Sequence, residues 1–173
     1  MRLFIAVNFK SQIEKFASLR DVLKKSALKG RFSENENLHL TLVFLGECDI
    51  KQAETVKVVL NGIQFSPFLI KADKIDFFKR DGGDIYSVRL KENEQLFKLQ
   101  ADLSNCLLKA GFVLENRKYT PHITLGREIR MPLNFILPKF EPIEFSVSSI
   151  ELLKSEYKNG KLTYIFVYSK SSS

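Results

Sequence analysis

The only two histidines of this 173-residue chain open the same short string, His39-Leu40-Thr41-Leu42 and His122-Ile123-Thr124-Leu125. Threonine is scarce, five in the whole chain, so a threonine two places after each histidine is not a coincidence of composition. Polar and aliphatic residues alternate through both strings, which is the pattern of a half-buried strand. Side chains at i and i+2 of a strand share a face, so His39 projects with Thr41 and His122 with Thr124, while the intervening aliphatics turn to the core. A fold that uses both copies must bring the two strands together. Two similar halves packed about an approximate two-fold axis would place the motifs across a cleft.

The rest of the chain supplies elements for such halves. Apolar spacing predicts a helix over about Ser11 to Leu28, with Ile13, Phe16, Ala17, Leu23 and Ala27 inward and Gly30 as its stop. A second helix follows Asp49, capped by its carboxylate with Gln52 three residues on, carries Ile50, Ala53, Val56 and Leu60 inward, and closes at Asn61-Gly62. The third runs from Glu92 to Ala110, buries Leu96, Leu99, Leu103, Cys106 or Leu107, and Ala110, and stops at Gly111. Strand-like runs cover Arg2 to Val7, Leu38 to Leu45, Phe68 to Ala72, Lys74 to Phe78, Ile85 to Leu90, Pro121 to Leu125, Phe145 to Leu153 and Lys161 to Tyr168. Lys158-Asn159-Gly160 reads as the turn joining the last two. No linker separates the halves, so residues 1–173 are expected to form one bilobal α+β domain with antiparallel sheets.

Composition narrows the function classes. Cys48 and Cys106 have no C-x-x-C partner and no companion cluster for zinc, so both read as reduced core thiols of a cytoplasmic protein. The opening Met1 to Ser11 is too short for a signal peptide, and no run reaches the length of a membrane span. A formal charge of +7, from 27 basic and 20 acidic residues, favours a polyanionic partner without identifying one.

An imidazole beside a hydroxyl, presented twice to one small anion, suits a phosphodiester. One group must take a proton from the nucleophile and another must protonate the leaving oxygen, and histidine titrates near neutrality. The hydroxyls of Thr41 and Thr124 can donate to the phosphate oxygens where charge builds, each such donor supplying roughly 2 to 4 kcal/mol. Arg127, five residues after His122, is the natural cationic member, because a guanidinium binds phosphate in a two-pronged way. A single His-x-Thr would more often be structural, but its duplication reverses that preference. Neither motif carries an Asp, Glu or Cys at i+2 or i+4, so no metal is expected. A serine or cysteine nucleophile is disfavoured because no Gly-x-Ser-x-Gly elbow occurs and Cys106 is expected within an apolar helix face.

These residues resemble a known family. The segments Glu36-Asn37-Leu38-His39-Leu40-Thr41-Leu42-Val43-Phe44-Leu45-Gly46-Glu47 and Tyr119-Thr120-Pro121-His122-Ile123-Thr124-Leu125-Gly126-Arg127 are similar to the two motifs of the 2H phosphoesterases, and in particular of the LigT-like RNA 2′,3′-cyclic phosphodiesterases, historically called 2′-5′ RNA ligases. The opening Met1-Arg2-Leu3-Phe4-Ile5-Ala6-Val7 and the ending with Ser155, Gly160 and Tyr164 extend the resemblance over nearly the whole chain. It implies a bilobal fold with two antiparallel sheets facing a central cleft and helices outside. It also implies cofactor-free hydrolysis of a 2′,3′-cyclic phosphate RNA end to a 2′-phosphate, and the reverse joining of RNA through 2′-5′ bonds. His122 is assigned as base and His39 as acid, although the similarity of the motifs leaves the roles interchangeable. Where the family often has tryptophan before the first motif this chain has Phe32, and where the family has Phe-Pro and then Pro-Arg-x-x-Trp it has Phe77-Phe78-Lys79 and Ile85-Tyr86; no tryptophan occurs at all.

A terminal nucleobase needs an aromatic or guanidinium platform. Phe44 stands five residues after His39, as Arg127 does after His122, although strand parity turns an odd offset to the core unless a bulge near Gly46 or Gly126 resets it. Arg130 is a further candidate for the rim. The partner expected is RNA, bound by a monomer with no metal and no membrane. Two other readings share these residues: a 2H enzyme for a small nucleotide such as a cyclic ADP-ribose phosphate or 2′,5′-oligoadenylate, and an RNA-binding module without turnover. The second need not keep both His-Thr pairs.

Overall fold

The computed structural model describes residues 1–173. In chain order the elements are β1 Arg2–Val7, α1 Ile13–Ser26, β2 Lys29–Phe32, β3 Leu40–Glu47, α2 Ile50–Gly62, β4 Phe68–Phe78, β5 Asp84–Leu90, α3 Glu94–Lys109, β6 His122–Arg130, β7 Ile143–Val147, β8 Ser149–Lys158 and β9 Lys161–Ser171. No helix is long and apolar enough to cross a membrane.

The strands form one curled antiparallel sheet in the order β7-β4-β5-β6-β3-β1-β8-β9, with β2 also paired to β6. Its centre is thin. Only Leu40 and Ile123 pair between β3 and β6, against six pairs between β1 and β3. The sheet therefore splays there into two halves, β3-β1-β8-β9 and β7-β4-β5-β6. These are not halves of the sequence, because the C-terminal hairpin returns to pair with β1.

On its convex side the sheet carries Leu3, Ile5 and Val7 of β1 against the helices, in one apolar core of 37 buried residues fed by both halves. Helix α3 contributes Leu96, Leu99, Leu103 and Leu107, all buried, and ends as expected: Gly111 takes φ +95° and the Phe112 N–H returns to the Leu107 carbonyl at 3.0 Å. Helix α2 begins with the expected reciprocal cap between Asp49 and Gln52. The turn at Asn159 and Gly160 has φ +52° and +77°, the double positive pair of a tight hairpin.

Several expectations are corrected. Helix α1 stops at Ser26, and Gly30 lies within β2, where a Cβ would meet Ile129 at 2.8 Å and the Phe32 ring at 3.0 Å. Glycine there permits close approach to β6. The four residues of β2, Lys-Gly-Arg-Phe, have no apolar alternation to betray a strand. Ile50 is 77% exposed, because at 3.6 residues per turn it stands about 90° from the centre of the Ala53, Val56 and Leu60 stripe. Cys106 is likewise exposed, Leu107 taking the inward place, whereas Cys48 is buried. The two runs from Phe68 to Phe78 are one strand with an irregularity between Ala72 and Lys74. The run from Phe145 to Leu153 divides at Ser148, where the chain leaves β4 as partner and takes up β1.

The α2 geometry gives a paired expectation. Leu60→Ala should cost about 2–5 kcal/mol of stability by denaturant titration. Ile50→Ala should stay within about 0.5 kcal/mol. Equal losses would contradict the helix orientation.

Candidate active site

The Leu40–Ile123 pair fixes how the two motifs meet. In an antiparallel register one step forward on β3 is one step back on β6, so His39 falls across from Thr124 and Thr41 across from His122. All four are half-buried on the concave face, and Leu40, Leu42, Ile123 and Leu125 are fully buried behind them. The duplicated string thus becomes a near-symmetric square of two imidazoles and two hydroxyls.

Phe44 and Arg127 reach the same face through two equivalent irregularities. On β1 and β3 the register runs Ala6↔Thr41, Ile5↔Val43, Phe4↔Phe44, so Leu42 is an extra residue. On β5 and β6 it runs Ser87↔Thr124, then Tyr86↔Gly126, so Leu125 is extra. Both bulges stand three residues after a histidine, and each reverses the alternation. Val43 and Gly126 are therefore buried, while Phe44 (55% exposed) and Arg127 open onto the cleft. The parity argument that assigned Phe44 to the core is overturned, and the β3 bulge lies earlier than Gly46. Arg130 is not brought to the cavity; it donates to the Asp81 carbonyl at 2.6 Å on the outer end of β6.

Each imidazole is tied back in the same way. His39 Nδ1 is 2.7 Å from the Asn37 carbonyl and His122 Nδ1 is 2.8 Å from that of Thr120. A carbonyl only accepts, so in both rings Nδ1 carries the proton and Nε2 is left free for a reacting group. Asn37 is itself anchored, its side-chain amide donating to the Leu162 carbonyl of β9 at 2.9 Å. The His39 ring is flanked by Phe4 at 5.0 Å and Tyr164 at 4.9 Å, while Phe78 stands 6.5 Å from His122.

Burial is the largest cause lowering the pKa of both histidines from the ordinary 6.5. The backbone hydrogen bonds oppose it. Positive charge then lowers both further: His122 and Arg127 act on His39, and Arg89 and Arg127 on His122. Arg89 is the cross-strand partner of His122, lies 5.9 Å over the Phe78 ring and bonds Asp76 at 3.2 Å.

A cavity of ≈ 490 Å³ opens beside the motifs, lined among others by Thr41, Phe44, Phe78, His122, Thr124 and Arg127, whereas His39 lies outside this lining and adjoins it through its neighbours Thr41 and Thr124. Arg80, Arg117 and Lys118 add positive charge to its wall, against Glu115, which pairs with Arg117. Tyr119 also lines it and donates its hydroxyl to the Thr41 carbonyl at 2.9 Å; burial pushes that phenol far above its usual range, so it stays protonated. Sequence reasoning did not assign roles to Arg89, Phe78, Tyr164 or Tyr119, since their signal is pairing across strands. No group of three or more His, Cys, Asp or Glu side chains that could hold a metal ion occurs in the chain.

Comparison with known proteins gives a consistent neighbourhood. A family model described as the 2′-5′ RNA ligase superfamily matches residues 9–159. The chain is 32% identical to an RNA 2′,3′-cyclic phosphodiesterase of Thermotoga maritima over 165 residues, covering 90% of this chain and 87% of the relative. It is 31% identical to a protein of the same name from Methanocaldococcus jannaschii, covering 90% and 91%. Among solved structures, Escherichia coli LigT complexed with 3′-AMP superposes with a TM-score of 0.83 over 99% of this chain and 98% of that one, at 24% identity. That likeness is one of fold, and it carries the α+β arrangement with a central cleft.

With only two imidazoles, proton NMR can resolve each titration. Both should titrate below pH 6.5 and, when neutral, carry the proton on Nδ1. A histidine titrating above 6.5 in the free protein would contradict the dominance of burial.

Proposed function

Because the chain belongs to the 2′-5′ RNA ligase superfamily, we propose that its cleft hydrolyses the 2′,3′-cyclic phosphate at an RNA end to a 2′-phosphate, with His39 and His122 as acid and base. The observation that carries this reading is the square itself: two imidazoles with Nδ1 tied to backbone, each across from a threonine, beside a cavity holding Arg127.

In the forward reaction His122 Nε2 takes a proton from water as its oxygen bonds to phosphorus. The bond from phosphorus to O3′ breaks, and protonated His39 gives its Nε2 proton to that oxygen, leaving a 3′-hydroxyl and a 2′-phosphate. Both imidazoles are lowered first by burial and then by positive charge, so the choice of His122 as base and His39 as acid follows the family resemblance. Thr41, Thr124 and Arg127 donate to the non-bridging oxygens as their charge grows. With a ribose 5′-hydroxyl in place of water, the same steps in the same direction join RNA through a 2′-5′ bond: His122 takes the hydroxyl proton, the new oxygen bonds to phosphorus, and O3′ leaves with the proton from His39. Phe44, exposed on the same face, is the platform for the terminal base. Arg80, Arg117 and Lys118 on the cavity wall support an RNA over a small nucleotide. One chain supplies every group named, which supports reading the monomer as the active unit.

His39→Ala or His122→Ala should abolish release of 2′-phosphate from an RNA ending in 2′,3′-cyclic phosphate without unfolding the protein. Thr41→Ala or Thr124→Ala should lower kcat by about 10²–10³. Activity should survive exhaustive EDTA; loss with recovery on adding zinc or manganese would refute the metal-free mechanism.

The kcat/KM profile should be a bell, since one histidine must be neutral and the other protonated. Both pKa values are lowered in the free protein, so the bell should centre below pH 6.5. A bound phosphate raises them, so the kcat bell should lie at higher pH. A flat profile with chemistry rate-limiting would remove the acid-base pair.

A further inference from the structure

A bulge leaves backbone groups without ladder partners, and buried ones must be satisfied elsewhere. Around both bulges this is done from outside the strand. At the first, the Tyr119 hydroxyl donates to the Thr41 carbonyl at 2.9 Å, and Gln100 Nε2 of α3 donates to the Leu42 carbonyl at 3.4 Å. At the second, the Ser33 hydroxyl donates to the Thr124 carbonyl at 3.1 Å, and the Ser33 backbone N–H to the Leu125 carbonyl at 2.9 Å. The same two positions of each motif, threonine and following leucine, thus receive an added donor, although the donors come from unrelated parts of the chain.

Ser33 is delivered to its place by a fixed chain of contacts. It follows β2, whose Phe32 pairs with Gly126, and glycine is required there because a Cβ would meet Ile129 at 2.8 Å, the Arg31 carbonyl at 3.0 Å and the Phe32 ring at 3.0 Å. The Ser33 carbonyl accepts from Arg20 Nη1 at 2.9 Å, and Arg20, on α1, is largely buried. Gln100 is braced by Ser104 Oγ at 3.1 Å.

We propose that Ser33 and Gln100 are positioning residues: Ser33 holds the Leu125 bulge that turns Arg127 into the cleft, and Gln100 holds the Leu42 bulge that turns Phe44 into it. If either bulge relaxes, the alternation beyond it is no longer fixed and the side chain two residues on leaves its station. The two anchors have different consequences. Arg127 carries charge that acts on both histidines, whereas Phe44 carries none. The inference rests on the reading of Arg127 as a phosphate group and Phe44 as a base platform.

The test compares wild type with Ser33→Ala, Ser33→Thr, Gln100→Leu and Arg127→Ala, following both imidazoles by proton NMR and turnover on an RNA 2′,3′-cyclic phosphate. Ser33→Ala should raise the titration midpoint of the histidines in the same direction as Arg127→Ala but by less, and lower kcat/KM about threefold to tenfold through kcat, as loss of one hydrogen bond allows. Ser33→Thr, which keeps the hydroxyl, should restore both. Gln100→Leu should raise KM and leave the histidine titrations at their wild-type midpoints. Arg20→Gln, which frees the Ser33 carbonyl, replaces Ser33→Ala if that variant does not fold. Wild-type titrations and wild-type kcat/KM in Ser33→Ala, or displaced histidine titrations in Gln100→Leu, would overturn the proposal. Failure of the wild-type protein to turn over would sink the proposed function instead, and the NMR comparison would still decide whether Ser33 positions Arg127.

Discussion

The molecule turns on one residue pair. Leu40 and Ile123 are the only partners between β3 and β6, both fully buried, and they are the second residues of the two His-x-Thr strings. A longer ladder would hold the sheet closed and bury the motifs side by side; with no ladder the halves would have no common register. One pair lets the strands diverge on either side while setting His39 opposite Thr124 and Thr41 opposite His122. The halves are then held by topology, since β8 and β9 close on β1 after the chain has built β4 to β7. The shared apolar core behind the sheet resists any slip, because a shift of one residue would exchange Leu40 and Ile123 for histidine or threonine.

What could be read from the residues follows from where period and burial agree. The α2 cap, the Gly111 stop, the Asn159-Gly160 turn and the aliphatic backing of both motifs were all legible, because each is a local rule satisfied locally. The placing of His39, Thr41, His122 and Thr124 on one face was legible because the string is duplicated, and that of Arg127 beside them from its spacing after His122. The offset of Phe44 from His39 points to the cleft and strand parity points to the core, and no residue type marks the Leu42 bulge that decides between them. The bulge is made by contacts from Tyr119 and Gln100, distant in sequence. The strand β2 and the exit of Arg130 from the cleft share that cause, pairing with β6 that polar residues do not announce.

The electrostatics depend more on burial than the net charge of +7 suggested. Desolvation by Phe4, Tyr164 and the sheet behind them leads the shifts at His39, with the cations of the cleft adding to it. The backbone carbonyls of Asn37 and Thr120 act in the other direction and fix the tautomer as well. Burial thus disfavours the charged form of both imidazoles in the empty cleft, and in the proposed reaction an incoming phosphate anion supplies the charge that favours protonating one of the pair. The anion thus helps to create the acid that acts on it.

The missing tryptophans divide into two cases. Phe32, which stands where the family often has one, lies over the bare backbones of Gly30 and Gly126, with ring atoms 3.0 Å from where each Cβ would be. Its role is to seat β2 on β6, and a larger indole would need different glycine surroundings. Phe78, in the other departing segment, stands in the cavity beside His122 and under Arg89. A cation over its face and an imidazole at its edge orient that ring from two sides. The first replacement is therefore absorbed by packing, and the second keeps an aromatic ring in the cavity that Phe44 also lines.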